Sequence, residues 1–152
     1  MKKVFFGVVA LFLVISLAGC KTEKSYTYEV STGDDIKVTI DTTDGYNYKE
    51  KDESYAITKK DDTICEWTFV TMDGYNSYIE LYNNSDSATL IKDSSNDNID
   101  YSIYRVNNTA ANMIEYDNLI KVKNSNTAII MGSFSEENMN KCLELISFEL
   151  VK

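Results

Sequence analysis

The chain of 152 residues contains no histidine and no proline. Histidine is the one side chain whose unperturbed pKa lies near neutrality. Its absence removes Ser-His and Cys-His nucleophile pairs and the usual zinc ligand sets. Positive charge is also scarce, with 15 Lys and Arg against 24 Asp and Glu. No basic patch of the kind that tracks phosphates is present, so nucleic acid is not an expected partner. Cysteine is limited to Cys20, Cys65 and Cys142.

What is present begins at the N-terminus. Lys2 and Lys3 give a positive start, Val4 to Leu17 an apolar stretch, and the small Ala18 and Gly19 lead into Cys20. That three-zone layout is a secretory signal, with an apolar core too short for a comfortable span of about 20 residues. Leu17, Ala18, Gly19 and Cys20 resemble the lipobox of bacterial lipoproteins. The resemblance implies a diacylglyceryl group on the Cys20 sulfur and cleavage between Gly19 and Cys20. Two buried acyl chains anchor stably, at about 0.8 kcal/mol per methylene. The alternatives are an ordinary secretory signal with a chance cysteine, or a short uncleaved anchor.

This reading divides the chain into a signal at 1–19, a lipidated start and short tether at 20–25, and one domain at 26–152. The 133 residues left after removal of 19 suffice for one domain with a real core. They hold 13 basic and 24 acidic side chains, a net charge of −11. The expected setting is extracytoplasmic, tethered to the cell membrane, with Lys21 and Lys24 beside the anchor.

Along the body, Tyr26, Tyr28 and Val30 alternate, Gly33-Asp34-Asp35 turns the chain, and Ile36, Val38 and Ile40 resume the alternation. Two short strands follow, around Tyr46 and Tyr48 and around Tyr55 and Ile57. Ile64 to Val70 is the most apolar strand, with Cys65, Trp67 and Phe69 pointing one way. Tyr75, Tyr78, Ile79 and Tyr82 fall at helical spacing with Asp73 as N-cap; the competing reading is a hairpin turned by Asp73-Gly74. From Asn83 to Asn98 the chain is mostly Asn, Ser and Asp, broken by Ala88 to Ile91. Ile99, Tyr101 and Ile103 form a strand, and 119–122 and 127–134 form a hairpin. Ser135 caps a final helix whose stripe is Met139, Cys142, Leu143 and Ile146, and a last strand closes the chain. The expected class is α+β, a mostly antiparallel sheet with the C-terminal helix packed on it. From Ile36 to Lys152 the order, including ICEWTFV and SFSEENMNKCLELISFEL, resembles the PsbP-like α/β/α sandwich domains. That resemblance implies an accessory or binding module with no standard catalytic set.

Three groups of residues invite a functional reading. Asp-Gly-Tyr-Asn occurs twice, and paired loops could present Tyr46 and Tyr75, with Tyr78 nearby, to sugars or cations while Asp44 and Asp73 accept hydrogen bonds. The plainer reading makes Asp-Gly a turn and Tyr a half-buried residue. DSSNDNID, with Asp93, Ser95, Asp97 and Asp100, starts like a calcium loop but has Asn98 and Tyr104 where glycine and glutamate are required, so it is no EF-hand. A looser calcium site and a solvated loop remain as its alternatives. Cys65 and Cys142 are either a disulfide or two buried thiols. No metal, cofactor or catalytic set is expected. The functional expectation is a non-enzymatic envelope lipoprotein that binds a cationic peptide, a glycan or an envelope protein. Its alternatives are an immunity or sequestering lipoprotein against cationic peptides, and a carboxylate-only, glycosidase-like enzyme.

Overall fold

A computed structural model describes residues 12–14 and 22–151. The strands are β1 (Phe12–Val14), β2 (Glu23–Glu29), β3 (Asp35–Asp41), β4 (Tyr46–Glu50), β5 (Tyr55–Lys59) and β6 (Asp62–Thr71), then β7 (Ala88–Ser95), β8 (Ile99–Asn108), β9 (Met113–Val122), β10 (Thr127–Ser133) and β11 (Ile146–Leu150). Helix α1 (Met72–Asn83) follows β6, and helix α2 (Glu136–Leu145) follows β10. A sheet of seven strands runs β4-β5-β6-β10-β9-β8-β7, and a second of four runs β1-β2-β3-β11. Every strand pair is antiparallel. The described residues are therefore mostly antiparallel sheet with two helices, one of them C-terminal.

Side chains alternate across a strand, and β6 uses both faces of the large sheet. Cys65 and Trp67 are buried on its inner face, where Trp67 meets Phe148 of β11 with ring centroids 6.2 Å apart. The small sheet contributes Ile36, Val38 and Ile40, all fully buried, to the same core. Helix α2 packs on this inner face too: Met139, Cys142 and Leu145 are buried, and Cys142 is bonded to Cys65 with Cα atoms 6.6 Å apart. Helix α1 lies on the opposite, outer face. Its Tyr82 reaches Asp117 of β9, and Asp117 shares a face with Gly132 and Glu66 by register.

Several boundaries differ from the sequence reading. The hairpin over 74–84 does not form; α1 does, and its N-cap is Thr71, whose Oγ1 accepts from Gly74 N at 3.2 Å, with Asp73 in the first turn. The Asn- and Ser-rich stretch after α1 supplies an edge strand, β7, because pairing with β8 satisfies its backbone despite exposed side chains. In α2, Leu145 replaces Ile146 in the buried stripe. Ile146 is already extended (φ −119°, ψ 136°) and opens β11. β2 starts at Glu23, so ordered sheet reaches further toward Cys20 than a tether ending at residue 25 implies.

Candidate functional site

The two Asp-Gly-Tyr-Asn copies do not meet. Asp44 sits exposed in a turn with φ 62°, while Tyr46 is buried under Lys59, whose Nζ lies 4.4 Å from the ring centroid, with Lys141 of α2 at 5.9 Å. Tyr46 belongs to the inner core. Asp73, Tyr75 and Tyr78 are on α1, across the large sheet on its outer face. A single ligand cannot span both, and the paired-loop reading falls. The DSSNDNID segment is also answered by the fold: Nζ of Lys123 donates to Ser95 Oγ at 2.8 Å and lies 3.4 Å from Asp100 Oδ1. A lysine occupies the side where a calcium ion would be held. Among the described residues no group of three or more Asp, Glu or Cys is arranged to hold a metal. Gly19 and Cys20 lie outside the described residues.

The tyrosines are mostly structural. Tyr26 and Tyr28 of β2 stack into Tyr48, Tyr55, Trp67 and Phe69, with centroid separations of 4.6 Å for Tyr26 and Tyr48 and 4.9 Å for Tyr28 and Tyr55. The phenols of Tyr28 and Tyr48 hydrogen-bond to each other. Burial raises the pKa of all four tyrosines in this layer.

One concave site lies on the outer face, beside the end of α1. A cavity of about 280 Å³ is lined by Ile64 and Glu66 of β6, Glu115 and Asp117 of β9, Gly132 of β10, and Phe134 just beyond β10. Its floor follows from strand register. Glu66 pairs with Gly132, and Gly132 pairs with Asp117. Two strand spacings of about 4.8 Å set the backbones of Glu66 and Asp117 roughly 10 Å apart, and the residue between them has no side chain. A Cβ on Gly132 would sit 3.4 Å from Asp117 Oδ1. Phe134 stands 68% exposed at the rim.

The pKa values of Glu66 and Asp117 are displaced in opposite directions. Glu66 is hydrogen-bonded by Lys51, and by Ser54 at 2.5 Å, and these bonds hold its pKa below the usual glutamate value. Asp117 is raised above the usual aspartate value, chiefly by burial; the hydrogen bond from Tyr82 lowers it only in part. Glu115 accepts from Asn108 Nδ2 at 3.0 Å. A positively charged head entering here meets Asp117 and Glu115, while Ile64 and Phe134 offer apolar surface to a stem. Such a site suits an ammonium or guanidinium on a hydrocarbon chain.

Sequence reasoning missed all six of these lining residues as a group. One signal was there: an isolated glycine inside the apolar strand AIIMGS marks a place where something approaches the backbone. No family model matches the chain, and no curated protein or solved structure matches it. Among the described residues no helix is long and apolar enough to cross a membrane.

Proposed function

We propose that the protein is an extracytoplasmic lipoprotein, held to the cell membrane through acylated Cys20, that acts as a non-enzymatic binding module for cationic peptide side chains. The anchor rests on the order of Lys2 and Lys3, the apolar stretch and Leu17 to Cys20. The helices on opposite faces of the large sheet support the PsbP-like α/β/α reading of the domain. The observation that carries the binding role is the open floor at Gly132, flanked by Glu66 and Asp117 and overlooked by exposed Phe134. The net charge of −11 in the processed chain draws cations toward it.

Calorimetric titration with a lysine-rich peptide tests this. Binding should weaken at least about tenfold in Asp117→Asn and in Phe134→Ala. Unchanged affinity in both variants would contradict the assignment of the groove.

A second reading is favoured by one observation: Asp117 and Glu66 line one cavity with pKa values displaced in opposite directions. Such pairs divide acid and base roles in carboxylate-only glycosidases. Turnover of chromogenic glycosides that disappears in Asp117→Asn would establish that reading in place of the first.

A further inference from the structure

The outer edge of β2 carries a strand from the apolar stretch of the leader. Phe12 pairs with Ser25, Leu13 with Lys24 and Val14 with Glu23, all antiparallel. These residues precede Gly19, so the processing at Cys20 proposed above, on which this inference rests, removes β1. The backbone groups it occupied on β2 are then unpaired, and an unpaired edge is a template for another strand.

The other sheet edges carry features that discourage pairing. β4 ends in the charged run Lys49 to Glu53. β7 is interrupted by an irregularity between Leu90 and Lys92. β11 is only five residues long. β2, in contrast, keeps an unbroken register of seven pairs with β3, from Glu23 opposite Asp41 to Glu29 opposite Asp35. Its Tyr26 and Tyr28 are fixed in the inner aromatic layer, so the strand is held rigid at the edge it exposes.

We infer that in the processed protein this edge, from Glu23 to Ser25, accepts an extended apolar segment of a partner protein at the membrane surface, paired antiparallel as β1 is. The apolar character is that of the sequence whose backbone pairs there, Phe-Leu-Val. The location follows from the anchor: Glu23 is three residues beyond Cys20, a reach of at most about 11 Å in extended chain. A second copy of β2 fits poorly, because symmetric antiparallel pairing about Tyr26 sets Glu23 against Glu29 at both ends.

The test is amide hydrogen exchange over β2 in the processed, lipidated protein in detergent micelles. The probe is a peptide of residues 10–16 flanked by lysines; the control is the same peptide with Val14→Pro, which lacks the N–H that pairs with Glu23. The first peptide should slow exchange at Glu23 and Ser25, whose N–H groups face that edge, at least about tenfold, and the proline peptide should not. No slowing with either peptide, or equal slowing with both, overturns the inference. Slowing confined to β9 and β10 also overturns it, and would instead place the peptide in the groove at Gly132. Slowing at β2 in a protein that binds no lysine-rich peptide would keep this inference and remove the groove.

Discussion

The hydroxyl of Tyr82 donates to Oδ2 of Asp117 at 2.5 Å, joining the last turn of α1 to the middle of β9. α1 has no buried residue, so this bond and that from Tyr104 to Asn83 Oδ1, at 3.2 Å, do much to fix the helix on the outer face. In Tyr82→Phe the helix should loosen, at a cost of about 1 kcal/mol. The Asp117 pKa should move further up, since the donor that lowers it is gone. Faster amide exchange across α1, with an upward shift of Asp117 titration by NMR, is the expected pair of results; an unchanged Asp117 would contradict the bond.

The opposite displacements of Asp117 and Glu66 give opposite pH dependences. Asp117, raised, adds stability that is complete below its unfolded value of 3.8 and is lost as pH rises through its folded value. Asp117→Asn should therefore gain on the parent protein as pH rises from about 4 to 7. Glu66, lowered, adds stability above its unfolded value of 4.5 that is lost as pH falls through its folded value. The deficit of Glu66→Gln should be present at neutral pH and shrink in acid. Urea unfolding from about pH 2 to 7 measures both slopes, and parallel profiles would contradict the assignment.

The disulfide between Cys65 and Cys142 closes a loop with a sequence separation of 77. In the chain-entropy account such a crosslink stabilises on the order of 4 kcal/mol. The double variant Cys65→Ala, Cys142→Ala should lower the thermal midpoint markedly, and a reductant should lower that of the parent but not of the variant. Equal midpoints for parent and variant under oxidising conditions would show that no bond forms.

Asn118 is fully buried on the inner face, opposite Met131 on one side and Ile103 on the other, and neither of its amide atoms has a hydrogen-bond partner. An unmet buried amide costs about 1–3 kcal/mol. Asn118→Leu should therefore raise stability in denaturant unfolding. A loss would mean that the amide is satisfied in solution.

The local elements were legible where short-range patterning decides them. The alternation in Tyr26, Tyr28 and Val30, the inward set Cys65, Trp67 and Phe69, and Ser135 ahead of Glu136 and Glu137 each point to the element found. β7 was hidden because an edge strand with exposed side chains has no apolar stripe. The groove was hidden for another reason. Glu66, Asp117 and Gly132 become neighbours only through the order β6-β10-β9, and no local spacing encodes that pairing. The repeated Asp-Gly-Tyr-Asn misled because local identity does not determine which face of a sheet a copy reaches.

The mass of the intact protein purified from its native membrane tests the account most directly. A chain that begins at Cys20 and carries a diacylglyceryl group is the predicted result, with Cys20→Ser retaining the leader and losing acylation. A chain that begins at Met1 without added acyl mass would contradict it.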